Sequence, residues 1–151
     1  MPPKKKKKAK KKTIYIYSFG RKWGLYPGVP AKDTAQFVYD VRHSIRDPWA
    51  LGYRESGTDP AIQKLVRQLA PKWLNFQAHY LRTMVKAWLR SKADQKCLNL
   101  YFTCQGGYQR SVAAAEIMAS RLRTTFGKEC EIIVRHQSLD KARAVFFDKK
   151  R

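Results

Sequence analysis

Residues 104 to 111 read "CQGGYQRS", a thiol, two glycines, an arginine and a serine inside eight positions. Gly106 and Gly107 lack Cβ atoms, so a backbone there can turn its N–H groups inward and let an anion come close. Arg110 brings a planar guanidinium fork that grips two oxygens of one phosphate, and Ser111 adds a hydroxyl. A helix starting near Arg110 adds the partial positive charge of its N-terminus, worth about 0.3–1 kcal/mol at an exposed site. The expected ligand of Cys104, Gln105, Gly106, Gly107, Tyr108, Gln109, Arg110 and Ser111 is a phosphate group.

Such a cup needs a strand before it and a helix after it. "CLNLYFT" (97 to 103) alternates Leu98, Leu100 and Phe102 on one side, the period of a strand. After the loop, Val112, Ala115, Ala119, Leu122 and Phe126 recur at steps of three and four, a core-facing helical stripe that Gly127 ends. "TIYIYSF" (13 to 19), "QFVYDVR" (36 to 42) and "ECEIIVRH" (129 to 136) supply three more strands, and Ser138 is placed to cap a short last helix, "LDKARAVFF". Between the second and third strands, Asp59 and Pro60 start one helix. A longer one runs from about Trp73 to Ser91, with Trp73, Gln77, Tyr80, Met84 and Trp88 expected on its inner side. Arg82, Lys86 and Arg90 climb its outer side at i, i+4 and i+8. Strands separated by helices imply an α/β domain with a mostly parallel sheet, whose ligand crevice lies beyond the C-terminal strand ends. The glycine- and proline-rich "GRKWGLYPGVP" leaves one such end.

The chain carries a formal net charge of +21 over 151 residues. Its first twelve residues hold eight lysines and no acid, which leaves +13 for the remainder. Lys4, Lys5, Lys6, Lys7, Lys8, Lys10, Lys11 and Lys12 repel one another in any compact form, so residues 1 to 12 read as a disordered basic tail and 13 to 151 as one domain. A body this basic predicts a polyanionic partner, RNA first, with the tail and the Arg82, Lys86, Arg90 stripe as the contacts. The tail also reads as a nuclear-localisation signal, which places the protein in nucleus or cytosol. No apolar run approaches the roughly 20 residues of a membrane span. Cys97, Cys104 and Cys130 are odd in number and lack a CxxC pair, the opposite of a disulfide framework or a thiolate metal site. No metal and no cofactor are expected.

The spacing CxxGxxRS resembles the loop of the cysteine-dependent phosphatases. A helix N-terminus and an arginine beside a cysteine favour its thiolate, the form that attacks phosphorus. Catalysis also needs an acid for the leaving oxygen, with Asp47 and Asp59 as candidates, and Thr103 stands where those enzymes have a histidine. Hydrolysis with Cys104 is therefore the enzymatic alternative to plain binding.

Four segments in order resemble a second family, the C-terminal domain of the RNase adapter RapZ. "SFGRKWG" (18 to 24) is similar to SFGxKxG, "VYDVR" (38 to 42) to FDVR, "TCQGGYQRSV" (103 to 112) to GCTGGxHRSV, and "VRH" (134 to 136) to VRHRD. The resemblance implies an adapter that binds an amino-sugar phosphate and RNA without chemistry of its own. By matched position it adds Ser18, Gly20, Arg42 and His136 to the phosphate loop. The chain departs from the pattern at Gln105, Gln109, Gln137 and Ser138, and no GxxxxGK[ST] nucleotide loop occurs in it. The expected partners are a small phosphorylated ligand and RNA.

Overall fold

The structure is a computed structural model that describes residues 12–23, 34–91 and 95–147. Seven of the eight tail lysines, Lys4 to Lys11, and the loop beyond residue 23 lie outside the described residues. Four strands, β1 (Thr13–Gly20), β2 (Thr34–Asp40), β3 (Cys97–Cys104) and β4 (Glu131–His136), form one sheet in the order β2-β3-β1-β4. All three pairings are parallel, with Ile14 beside Leu98 and Ile132, and Phe37 beside Leu100. The helices are α1 (Pro60–Leu69), α2 (Pro71–Arg90), α3 (Arg110–Phe126) and α4 (Leu139–Phe147). The expected α/β class and parallel sheet are therefore present.

Ile14, Ile16, Leu98, Leu100 and Phe102 are at most 1 % exposed on one sheet face, where Ile62, Val66, Leu74, Leu81, Val85, Ile117, Met118 and Leu122 of the first three helices join the same core. On the opposite face Tyr15, Tyr17 and Tyr101 stack with ring centroids 6.0 and 4.7 Å apart, and the Arg135 guanidinium lies over Tyr15. The Asp59 carboxylate accepts from Ala61 N–H at 2.8 Å and Pro60 fills the first position of α1, as the sequence predicts. A second proline at that position starts α2 at Pro71, two residues before the expected Trp73.

Three expectations are corrected. The buried face of α2 is Leu74, Gln77, Ala78, Leu81, Val85 and Trp88, whereas Tyr80 is half exposed and Met84 only half buried. Ser138 does not cap α4 with its side chain: its hydroxyl accepts the Gly20 N–H at 3.0 Å, and its carbonyl accepts from Ala142. Lys12 is no loose end of a tail, because its ammonium donates to the Trp88 carbonyl at 3.0 Å and stands over that indole.

Candidate functional site

Cys104 is the last residue of β3 and Arg110 the first of α3, so residues 105–109 span the sheet-to-helix junction, as expected. Gly107 has φ +66°, and a Cβ there would lie 2.5 Å from the Gly20 nitrogen. A Cβ on Gly20 would in turn meet the Gly106 carbonyl carbon at 2.6 Å. Both positions require glycine, since the end of β1 and the loop touch backbone to backbone. Further bonds from the β1 side hold the loop: Lys22 N–H donates to the Gln105 carbonyl at 3.1 Å and Trp23 Nε1–H to the Gly106 carbonyl at 2.8 Å.

The Cys104 sulfur lies against the first turn of α3. Gly107 N–H donates to it at 3.3 Å, and the thiol donates to Ser111 Oγ at 3.1 Å. At the N-cap, Gln109 supplies no side-chain bond to the helix; its amide donates to the carbonyls of Tyr53 and Glu55, both at 2.9 Å. The positive end of α3 is thus left without a side-chain cap where the cavity begins. Tyr108 is buried, and its hydroxyl donates to the Arg54 carbonyl at 2.6 Å.

These residues enclose a cavity of about 230 Å³, lined by Lys22, Asp47, Trp49, Cys104, Gln105, Gly106, Tyr108, Gln109 and Arg110. Arg110 donates to the Arg42 carbonyl at 3.1 Å, and its other N–H groups have no protein partner among the described residues. Lys22 stands over the Trp23 ring at 4.6 Å. Trp49 forms a wall: its N–H donates to Asp47 Oδ1 at 3.1 Å, Tyr108 meets its ring edge-on, and the Arg54 guanidinium covers it at 4.0 Å. Lys22 and Trp49 were not among the site residues read from the sequence, although Lys22 is the lysine of the SFGRKWG segment, and Asp47 was named only as a candidate acid for the enzymatic alternative. They come from two segments far from the loop, and only their fold-dependent convergence makes them part of the site.

Ser18, Arg42 and His136 are placed near the strand ends without lining this cavity. Ser18 is fully buried with its hydroxyl 2.6 Å from His136 Nδ1, and His136 Nε2 lies 2.7 Å from the Glu116 carboxylate. Arg42 is held by both carboxylate oxygens of Asp40 at 2.8 to 3.1 Å, and those bonds keep the Asp40 carboxyl below its ordinary range. Gly20 and Ser111 shape the floor through the contacts above.

Residues 12–140 match the family described as the RapZ C-terminal domain. The chain belongs to that family. Among curated relatives it is 33% identical over 139 residues to a nucleotide-binding protein of Shewanella putrefaciens, covering 89% of this chain and 45% of the relative. A nucleotide-binding protein of Acidothermus cellulolyticus is 33% identical over 129 residues, covering 82% and 39%, and one of Haemophilus ducreyi 32% over 136, covering 87% and 43%. The chain thus spans less than half the length of these relatives. In this RapZ C-terminal domain the glutamine at the motif's histidine position, Gln109, binds the 53–55 backbone and so builds the cavity wall. Among the described residues no helix is long and apolar enough to cross a membrane, and no cluster of metal-ligating side chains occurs.

Proposed function

We propose that this domain is a binding adapter that holds a phosphate-bearing ligand in the 104–111 cup and RNA on its basic exterior. One observation carries the first part: Arg110, with donors to spare, shares a 230 Å³ cavity with Lys22 at the uncapped start of α3. A guanidinium, an ammonium and a helix N-terminus around one hollow suit a doubly charged oxyanion. Asp47 in the same wall suits hydroxyl or ammonium groups on the rest of the ligand, as a phosphosugar or nucleotide would present. The nucleotide-binding names of the relatives fit this reading. For RNA, Arg82, Lys86 and Arg90 line a groove of about 470 Å³ together with His79, Thr83, Thr125 and Glu129, in a chain of net charge +21. The lysine run favours nucleus or cytosol as the place where it works.

Calorimetric titration with inorganic phosphate, a hexosamine phosphate and a nucleoside monophosphate tests the cup. Removing a charge-assisted bond costs about 1.5–3 kcal/mol, so Arg110→Ala is expected to weaken binding by roughly 10- to 100-fold. Equal affinity of the variant and the wild type, or heat from neither, overturns the assignment.

A further inference from the structure

The cavity that holds phosphate in the reading above also places a sulfur, an arginine and a carboxyl group on one small volume, and this combination does more than bind. We propose that Cys104 is a phosphoryl acceptor, so that the domain hydrolyses phosphate monoesters through a cysteinyl-phosphate. The inference rests on the cup being a phosphate site and goes beyond the binding role that family resemblance implies.

The arrangement of groups motivates it. Cys104 lines the cavity at its buried end, 2 % exposed, with Gly107 N–H on its Sγ at 3.3 Å and Ser111 Oγ at 3.1 Å from it. Both contacts suit a sulfur that alternates between nucleophile and leaving group, since an N–H and an O–H each stabilise the thiolate. Arg110 faces the same volume, in reach of the equatorial phosphate oxygens, where charge-assisted bonds strengthen as the phosphoryl group transfers. Asp47 lies in the wall, its Oδ1 fixed by the Trp49 N–H at 3.1 Å. A carboxyl group beside bound phosphate repels it when ionised and serves it when protonated, as the donor of a proton to the departing oxygen.

The steps balance. The Cys104 thiolate, formed by release of its proton to solvent, gives an electron pair to phosphorus. The P–O ester bond breaks, and the ester oxygen takes the Asp47 proton and leaves as an alcohol. Water then attacks the S-phosphoryl group and gives a proton to the Asp47 carboxylate. The P–S bond breaks, returning the electron pair to sulfur and releasing inorganic phosphate. Net consumption is one ester and one water, with no redox partner.

Leaving-group dependence is the test. With p-nitrophenyl phosphate the leaving oxygen needs no proton, so Asp47→Asn should release its first equivalent of p-nitrophenol nearly as fast as wild type, with later turnovers slowed because Asp47 also takes the proton of the attacking water. With an alkyl phosphate the same variant should lose about 100-fold in the rate of that first turnover, the scale of general acid catalysis. Cys104→Ser should lose turnover of both esters while still binding inorganic phosphate in the titration above, which also reports that it folds. Acid-quenched wild type should carry one phosphoryl group on the Cys104 peptide. Ser111→Ala, which leaves the nucleophile in place, should let that adduct accumulate. If wild type turns over neither ester above the Cys104→Ser level and no adduct forms while phosphate still binds, the inference is wrong and the binding role stands. If phosphate does not bind, both fall.

Discussion

Ser18, His136 and Glu116 form a hydrogen-bonded chain across β1, β4 and α3, and none of the three lines the cavity. His136 Nδ1 shares a hydrogen bond with the Ser18 hydroxyl and Nε2 another with the carboxylate, which satisfies a fully buried oxygen. The bond from His136 holds the Glu116 carboxyl below its ordinary range, against the opposite pull of burial. A carboxylate depressed in the folded state stabilises it above the unfolded-state value of about 4.3, and this contribution fades as pH falls through the lower folded-state value. Glu116→Gln is therefore expected to melt below wild type at pH 6 to 7, with the gap closing below about pH 4. Thermal melts across that range check it, and a gap that widens in acid contradicts the sign. The sequence points to Ser18 and His136 by position in a motif, yet their partnership spans 118 residues and exists only once β1 and β4 pair. The loop itself was legible because its parts are contiguous, whereas Asp47 and Lys22 carry no local mark of their convergence.

For whole elements the strands and helices follow from periodicity, with ends shifted by a few residues. On α3 the expected stripe of Val112, Ala115, Ala119, Leu122 and Phe126 is buried throughout, but Ala113, Ala114, Ile117 and Met118 off that stripe are buried as well, so the helix is covered on more sides than one stripe predicts. On α2 the apolar residues cover more than half the circumference, so two overlapping stripes satisfy the same 100° step. The core takes the aliphatic one, and Phe76 and Tyr80 remain 69% and 49% exposed. Leu81→Ala should cost about 2–5 kcal/mol by chemical denaturation, and Tyr80→Ala well under half of that. Comparable losses for the two would restore the stripe through Tyr80. Pro71 moved the start of α2 because a proline that ends one helix is equally suited to the first turn of the next.

At the scale of the molecule the cup and the basic groove, the two proposed anion surfaces, lie at opposite ends of α3. The cup sits at the start of α3, while Thr125 and Phe126 at its end line the basic groove. Seventeen helical residues place them about 25 Å apart at roughly 1.5 Å per residue. An RNA phosphate and a small phosphorylated ligand therefore need not compete for one hollow. Saturating phosphate ligand should leave RNA affinity unchanged in filter binding. Replacing Arg82, Lys86 and Arg90 together by Gln should flatten the slope of log affinity against log salt by roughly 2 units for single-stranded RNA. Displacement of RNA by the ligand, or an unchanged slope, would remove the groove from the interface.

The docking of Lys12 onto the Trp88 carbonyl fixes where the lysine-rich leader joins the body, at the α2 end that carries Arg90. Eleven preceding residues reach at most about 39 Å at 3.5 Å each. That length exceeds the separation of groove and cup, so a nucleic acid strand held by the leader would enter beside the basic groove without being barred from the cup, and what decides where it settles is the charge each surface offers.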